Sequence, residues 1–350
     1  MALRWIEGFE NFGPIGTYGA DLHGMLTQKW DSVRIDNDTI SIVAGRNGYG
    51  AALQGVNNYW LELNKLIPET NTVVVGFGWR GATGLPDTPY ILRLDGTATD
   101  SLQCRLRRTA AGELQVYMYT TLIGTTSGAA ITDYDWTYIE VKLVVHPISG
   151  SIEIRANEGV VFSASGIDTD YQNTGAVGKV QFYTNKASMI DDIYICDGYD
   201  DGTGHDDFLG SCRVAGLVLD GDQPGSQWDA SEAGSHYALL NEQPTDGDTG
   251  YIQTDVSGNV DMFDLAALNP SFEVVGLQVT AMTKSLAAHG WDLYFRVDSN
   301  GTVEDIDSGD KYSAHQDYHA NFGVSPVDPD TGVAWTPVGI NNATFGIKAV

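Results

Sequence analysis

The feature that most constrains this chain is the period of its apolar pattern. No stretch of about a dozen residues keeps a helical repeat, whereas short apolar–polar alternations recur roughly every 8 to 12 residues. Glycine is abundant, with 41 among 350 residues, and aromatic residues make up 10%. Because a period of two places successive side chains on opposite faces of a strand, the pattern predicts an all-β chain built from antiparallel sheets.

One run stands out as a central strand. Residues Val73 to Trp79 are apolar on both faces at the start of the run, as expected for a strand covered on both sides. Gly76 and Gly78 interrupt the run and indicate either curvature or the close approach of another sheet.

A second segment predicts a domain boundary. A strand from Ile190 to Cys196 is followed by a run rich in Asp and Gly that offers almost nothing to a core. Alternation resumes at Phe208. We therefore expect a sandwich over residues 1–197, an acidic connection over 198–207 and a second antiparallel β-sandwich over 208–350.

The charge of the chain is strongly negative. Asp and Glu number 46 against 19 Lys and Arg, which gives a net charge of −27. Such a surface repels phosphate backbones and anionic lipid, so it argues against nucleic-acid partners and membrane insertion. The N-terminal residues also lack the basic start and apolar core of a signal peptide.

The cysteines fit neither a disulfide framework nor a zinc site, because Cys104, Cys196 and Cys212 are odd in number and lack a Cys-x-x-Cys spacing. Buried thiols are the main expectation. Cys196 and Cys212 flank the acidic connection, so a disulfide between them stays open as an alternative.

The sequence offers no recognisable catalytic constellation. A glycan hydrolase needs two carboxylates on one cleft, and the Glu-x-Asp-x-x-Glu arrangement is absent. Glu140 and Glu153 each stand alone between apolar neighbours and are predicted to face outward. His315 and His319 read as exposed loop residues. From this pattern we expect a protein that is not an enzyme.

Two weaker binding patterns remain. Calcium is the one cofactor that the acidic connection could hold, although its aspartates do not follow an Asp-x-Asp-x-Asp-Gly spacing. The candidate ligands are Asp197, Asp200, Asp201, Asp206 and Asp207. Aromatic side chains on strands could stack on sugar rings, and the sequence does not tell which of them point outward. These are Trp60, Trp79, Tyr90, Tyr117 and Tyr119.

Two segments of the first half resemble a known family. WTYIEVKLVVHPISGSIEIRANEGVVFSASG and VGKVQFYTNKASMIDDIYICD are similar to the back half of concanavalin A-like, laminin-G-type jelly rolls. The matching features are a long strand opened by Trp136, a turn at 157–159 and a closing Asp191-Asp192 strand. The resemblance covers roughly residues 1–196 and implies two curved antiparallel sheets packed face to face.

The second half resembles a domain that follows laminin-G-type modules in structural proteins of tailed bacteriophages, through segments such as HYALLNEQPTDGDTGYIQTDVSGNVDMFDL and DTGVAWTPVGINNATFGIKAV. This resemblance implies a non-enzymatic protein on the virion surface, made in the host cytoplasm, as a capsid decoration, head fibre or tail-associated fibre. It further implies contacts with other virion proteins, a homo-oligomer such as a trimer, and contact with host surface glycan. The alternative is a soluble lectin-like glycan-binding protein.

Overall fold

The computed structural model describes residues 3–35, 40–46, 51–55, 60–81, 90–96, 101–170, 175–185, 188–199, 202, 204–243, 245, 247–285, 292–308 and 317–350. Strands account for 51% of the chain and helices for 8%, which confirms the predicted all-β fold class. The chain divides into two compact units, Met1–Ala215 and Gly216–Val350. Within the described residues, no helix has the length and apolar character that crossing a membrane requires.

The described part of the first unit contains fifteen strands, one α-helix and one 3-10 turn. The strands are β1 (Leu3–Glu7), β2 (Ser32–Ile35), β3 (Ile40–Ala44), β4 (Ala51–Gly55), β5 (Trp60–Thr70), β6 (Thr72–Arg80), β7 (Leu92–Asp95), β8 (Leu102–Arg108), β9 (Leu114–Met118), β10 (Thr121–Thr125), β11 (Thr137–Val144), β12 (Gly150–Ala156), β13 (Gly159–Ile167), β14 (Val177–Asn185) and β15 (Met189–Cys196). The helix is α1 (Ala20–Lys29), and the 3-10 turn spans Glu10–Phe12.

These strands form two antiparallel sheets. Sheet A has eight strands in the order β13-β12-β11-β6-β15-β4-β3, with β1 paired to β15. Sheet B has seven strands in the order β10-β9-β8-β7-β14-β5-β2. The predicted central strand around Val73 to Trp79 is β6, which lies between β11 and β15.

The two sheets pack face to face around an aromatic core. Phe77 of sheet A meets Phe182 of sheet B edge-on, with ring centroids 5.4 Å apart. Trp30, at the end of α1, also packs edge-on against Phe182 at 6.0 Å. The first unit is therefore the jelly-roll sandwich that the sequence predicts.

The glycines of β6 leave space for side chains of the same unit and not for a second sheet. A Cβ atom at Gly76 would overlap the ring of Tyr194, which lies flat on the outer face of sheet A. At Gly78 the neighbouring group is the side chain of Arg46. Other atoms do come close to these glycines, but they belong to side chains of the same unit and not to another sheet.

The boundary between the units lies further along the chain than the composition suggested. Residues 208–215, expected to open the second domain, lie instead on the outer face of sheet A. The backbone N–H of Gly210 donates to Glu140 Oε1 at 2.9 Å, and that of Leu209 donates to the Tyr194 hydroxyl at 3.1 Å. The acidic run thus marks the end of β15, and the docked segment 208–215 still belongs to the first unit.

The described part of the second unit contains nine strands and two short helices. The strands are β16 (Leu219–Asp222), β17 (Asp229–Ala230), β18 (Ile252–Gln253), β19 (Val260–Leu265), β20 (Leu277–Thr283), β21 (Leu293–Ser299), β22 (Thr302–Asp307), β23 (His319–Ser325) and β24 (Thr344–Ala349). The helices are α2 (His236–Leu240) and α3 (Pro337–Asn342).

A five-stranded sheet, sheet C, organises this unit, with the order β16-β19-β24-β21-β22. Its core contains Phe295, Phe345 and Trp335, against which Leu277 and Val279 of β20 also pack. Strands β20 and β23 pair with each other and supply the opposing layer. The chain ends in the middle of sheet C, because β24 lies between β19 and β21.

One buried carboxylate holds the long polar loop of the second unit. Asp261 is fully buried and accepts backbone N–H groups from Gln227 at 2.6 Å and Trp228 at 3.1 Å. Its other oxygen lies 2.5 Å from Nδ1 of His236. A loop rich in Gly, Asp and Pro is therefore ordered by side-chain contacts rather than by a sheet.

We expect Gly76→Ala to lower the free energy of unfolding of the first unit by about 1–3 kcal/mol, because the added methyl group overlaps the Tyr194 ring. Gly24→Ala is the matched control: Gly24 lies in α1 with open space around it, so the helix should gain about 0.5–1 kcal/mol. Denaturant unfolding of both variants measures the difference. Equal stability of Gly76→Ala and the parent chain would contradict the packing described for Tyr194.

Candidate functional site

A row of polar side chains crosses the face of sheet B that points away from the core. The antiparallel register places one residue from each of five neighbouring strands side by side. Because adjacent strands are about 4.8 Å apart, the row is about 19 Å long. We call it the central row, and its members are Asn64, Gln181, Arg93, Arg105 and Tyr117.

The central row follows from the alternation within each strand. In β7 the residues on either side of Arg93 are Leu92 and Leu94, and both are fully buried in the sandwich. The same holds for Cys104 and Leu106 around Arg105. A strand that buries every second side chain has to present the intervening ones together on the other face.

One end of the central row is a hydrogen-bonded group of amide, carboxylate and phenol. Glu62 Oε1 accepts a hydrogen bond from Asn64 Nδ2 at 3.1 Å and another from Gln181 Nε2 at 3.2 Å. Tyr183, the register partner of Glu62, donates its hydroxyl to Gln181 Oε1 at 3.3 Å.

The centre of the row is cationic. Arg93 and Arg105 are direct register partners on β7 and β8. Arg93 Nε donates to Asp95 Oδ1 at 2.8 Å, and Arg93 Nη2 lies 2.8 Å from Asp95 Oδ2 as an ion pair. Asp95 is itself fully buried. Lys179 lies 3.7 Å from the same carboxylate.

Arg105 sits between two aromatic rings. Its guanidinium carbon is 4.7 Å from the ring centroid of Tyr90 and 4.9 Å from that of Tyr117. Its Nη1 donates to the Tyr90 hydroxyl at 2.6 Å, whereas its Nε has no hydrogen-bond partner among the described residues. This Nε–H group is itself buried.

Tyr183 is held as a neutral phenol. It is 8% exposed and packs edge-on against Tyr90, with ring centroids 6.0 Å apart. Burial raises the pKa of Tyr183, the negative charge of Glu62 raises it further, and Arg93 opposes the rise. A phenol in this position keeps its proton at neutral pH and can give it up only to a group in direct contact.

The local charge of this face opposes the charge of the whole chain. Arg93, Arg105, Arg107 and Lys179 lie on it by register, against two carboxylates, Glu62 and Asp95. Guanidinium groups recognise carboxylates, and aromatic rings accept the faces of sugars. The arrangement is suited to an anionic carbohydrate and provides a proton donor beside it.

A second group of acids lies on the outer face of sheet A. Asp191 and Asp192, which belong to the predicted closing strand, form a bulge inside β15 and are buried. Burial, with Asp192 adjacent, raises the pKa of Asp191 to about 9. Burial likewise raises the pKa of Glu10 to about 8.

These acids serve the fold. Asp191 accepts the backbone N–H of Arg46 at 2.7 Å, and Asp192 accepts Arg46 Nε at 2.6 Å. Glu140 does lie on the outer face, as predicted, yet the docked segment covers it and its Oε1 accepts from Tyr194 at 2.6 Å. Glu153 remains half-buried and pairs with Arg155 at 2.8 Å.

The structure does not gather those predicted calcium ligands that it describes. Asp197 pairs with Arg4, and Asp207 accepts from Lys142 at 3.1 Å. The backbone carbonyl of Asp206 accepts from the same lysine, and Asp200 and Asp201 lie outside the described residues. Over the described part of the chain, no three His, Cys, Asp or Glu side chains form a group able to hold a metal ion.

The cysteine and histidine candidates also do not form a site among the described residues. Cys104, Cys196 and Cys212 are free thiols, so the open disulfide alternative is not formed. His319 lies in strand β23 rather than in a loop, and His315 falls outside the described residues.

Two of the described aromatic candidates lie on the face of sheet B that points away from the core. Tyr90 and Tyr117 contact Arg105, whereas Trp79 is fully buried in the core. Tyr119 is 37% exposed, and the side chain of Trp60 lies outside the described part of the structure.

Sequence reasoning missed the polar members of the central row and their neighbour Tyr183. The signal was present in the segments LRLD, LQCRLRR, LQVYM and VGKVQFYTN, where polar residues recur at every second position between apolar ones. Only the pairing of the strands shows that these positions meet.

About half of the chain resembles solved carbohydrate-active enzymes at low identity. The glucuronan lyase of the fungus Trichoderma reesei is 14% identical with a TM-score of 0.36, over 48% of this chain and 90% of the enzyme. Alginate lyase Aly36B is 12% identical with a TM-score of 0.40, over 54% and 95%. Alginate lyase vAL-1 from Chlorella virus is 9% identical with a TM-score of 0.39, over 53% and 100%. No protein-family model matches the chain, and no curated protein does.

These comparisons contradict two predictions, that of a non-enzymatic virion protein with its lectin-like alternative and that of a chain without enzymatic activity. The structures they return are polysaccharide lyases and related enzymes. At TM-scores below 0.5 the likeness carries no function over to this chain, so an activity has to follow from its own residues. The resemblance to phage proteins, the oligomer, the virion and glycan partners and the virion location stay predictions.

The buried acids predict a stability that falls as the pH rises. Folded Glu10 holds its proton up to about pH 8, whereas the unfolded chain releases it near 4.5. Between these values the unfolded state binds fewer protons, so raising the pH favours unfolding. Glu10→Gln should flatten the slope of unfolding free energy over this window by up to about 1.4 kcal/mol per pH unit.

Asp135→Asn is the control for this measurement, because Asp135 is exposed and its hydrogen bond from Thr132 can be kept by an amide oxygen. Denaturant unfolding at several pH values between 5 and 9 gives the slopes. If Glu10→Gln and Asp135→Asn had equal slopes, the assignment of a buried, protonated Glu10 would be incorrect.

Proposed function

We propose that this protein is a polysaccharide lyase that cleaves a uronate-containing polysaccharide by β-elimination on the open face of sheet B. The observation that carries the proposal is the pairing of Arg93 with Arg105 at the centre of that face, directly beside the tyrosines Tyr90 and Tyr183. The lyases named among the similar structures act on substrates of this class, which agrees with the proposal.

The two arginines account for the recognition of an acidic sugar. A guanidinium binds a carboxylate through parallel N–H donors, and the partly exposed side chains of Arg93 and Arg105 lie next to each other on this face. Tyr117 at the end of the central row offers a ring for a neighbouring sugar. A row about 19 Å long crosses the strands and provides room for several consecutive sugar units.

The chemistry follows from the acidity of the carbon next to the uronate carboxylate. Tyr90, as the phenolate paired with Arg105 Nη1, takes the proton from C5. The electron pair of the C5–H bond forms the C4=C5 double bond, and the bond between C4 and the glycosidic oxygen breaks. The leaving oxygen takes up a proton. The negative charge that builds on the carboxylate during proton removal is stabilised by the adjacent guanidinium groups, which are already in place.

Tyr183 is placed to supply the proton to the leaving oxygen. It is neutral because of its burial and the charge of Glu62, and a neutral phenol is the form that donates. Tyr90 lies against it and supplies the second hydroxyl of the pair, whose oxygen contacts Arg105. The two phenols and two guanidinium groups thus form one continuous group.

Hydrolysis fits this face less well than elimination. A glycoside hydrolase needs two available carboxyl groups, one on each side of the scissile bond. Asp95 is fully buried and pairs with Arg93 and Lys179, so Glu62 is the remaining carboxylate on this face by register. The described residues of the face therefore lack the second carboxyl group.

Incubation of the purified protein with a panel of uronate polysaccharides and neutral glycans tests the proposal. The expected result is a rise in ultraviolet absorbance from the new C4=C5 double bond, with at least one uronate polymer and with no neutral glycan. Turnover of neutral glycans alone, or saturable uronate binding without any double-bond formation, would contradict the proposal.

Tyr183→Phe should reduce kcat by about 10²–10⁴-fold, because it removes the proton donor while keeping the ring that packs on Tyr90. Tyr18→Phe is the matched control, since Tyr18 is 75% exposed and lies outside sheet B. Initial rates on the best polymer of the panel give the comparison. Equal losses in the two variants, or no loss in Tyr183→Phe, would remove Tyr183 from the mechanism.

A further inference from the structure

Glu62 is the one member of the hydrogen-bonded group at the end of the central row that offers only acceptors. One of its oxygens, Oε1, accepts from both Asn64 Nδ2 and Gln181 Nε2. A carboxylate has no N–H or O–H to give, so each amide next to it has to turn its NH₂ group toward it.

The orientation of Gln181 then decides the orientation of Tyr183. With its NH₂ group committed to Glu62, Gln181 presents its carbonyl oxygen to Tyr183, which donates its hydroxyl at 3.3 Å. The hydrogen bonds therefore run in one direction, from Tyr183 through Gln181 to Glu62.

Asn64 provides an independent sign that Glu62 sets this direction. Asn64 is 7% exposed, and its Oδ1 has no hydrogen-bond partner among the described residues. A buried amide oxygen without a partner is unfavourable, and the reverse orientation of the amide would instead leave its NH₂ group facing away from the carboxylate. The hydrogen bond from Asn64 to Glu62 therefore sets the orientation of the amide, although it leaves Asn64 Oδ1 without a partner among the described residues.

We propose that Glu62 is a positioning residue for Tyr183: through Gln181 it holds the phenol as a hydrogen-bond donor and keeps its proton in place until a substrate oxygen replaces the amide. The inference rests on the proposed function. It adds Glu62 as a residue that touches no reacting atom and yet keeps the Tyr183 hydroxyl protonated.

Of the other charged groups around Tyr183, one lowers its pKa and one raises it. Arg93 on β7 favours the ionised phenol through its charge and through a side-chain hydrogen bond, and Asp95 on the same strand disfavours it. Tyr90 contributes a ring and a hydroxyl already bonded to Arg105. Glu62 is the carboxylate tied into the hydrogen-bond chain itself, so its removal should act both on charge and on the direction of the bonds.

The test compares the full-length Glu62→Gln variant with the parent chain. The tyrosine ring signals are followed by NMR through an alkaline titration, and the Tyr183 signal is assigned by its loss in Tyr183→Phe. With the carboxylate gone, the onset of Tyr183 ionisation, and the midpoint extrapolated from it, should fall by about one pH unit. On a polymer that is cleaved, the alkaline limb of kcat should move down by the same amount with little change in KM.

Two further variants serve as controls for this comparison. Glu62→Asp keeps the charge and should return most of the shift, and circular dichroism checks that each variant is folded. Glu153→Gln is the matched control, because Glu153 also pairs with a side chain on a neighbouring position of a strand, but in sheet A. Its Tyr183 midpoint should equal that of the parent chain.

The outcomes separate the inference from the proposed function. A Tyr183 midpoint that does not move in folded Glu62→Gln, or that moves equally in Glu153→Gln, overturns the role of Glu62 whether or not the protein cleaves a polymer. A midpoint that falls in Glu62→Gln and recovers in Glu62→Asp supports the role. Absence of cleavage by the parent chain would refute the proposed function alone, because the titration needs no substrate.

Discussion

The antiparallel register of sheet B is the constraint on which the rest of this structure depends. Each strand buries alternate side chains against sheet A, and the contact between Phe77 and Phe182 fixes which set faces inward. A shift of one residue in any strand would bury its polar set and expose its apolar one. Because the core forbids such a shift, Arg93 and Arg105 are held opposite each other without a dedicated loop to position them.

This arrangement also explains how a chain of net charge −27 can offer a site for an anion. The whole-chain charge acts at long range and is screened by salt within about 8–10 Å. Contacts at hydrogen-bond distance follow the local groups, which on this face are mainly Arg and Lys. The charge of the chain therefore argues against nucleic acid and anionic lipid over the general surface, but it says little about a cationic row inside one sheet.

The fold class could be predicted from the sequence because it depends on a period of two, which is a local property. The central row could not be predicted, because its members Gln181 and Arg105 are far apart along the chain and are brought together only by strand pairing. Glu140 was placed on the correct face, yet its burial depends on the docked segment 208–215, whose apolar alternation suggested the start of a second domain. Asp191 and Asp192 were placed in the closing strand, but their contacts with Arg46 could not be predicted, because Arg46 lies far away along the chain.

A structure of the Tyr183→Phe variant with a bound uronate oligosaccharide tests the central claim most directly. The account predicts sugar density along the central row, with one carboxylate in contact with the guanidinium groups of Arg93 and Arg105. An oligosaccharide bound on another surface, or on sheet B with its carboxylates turned away from both arginines, would contradict it.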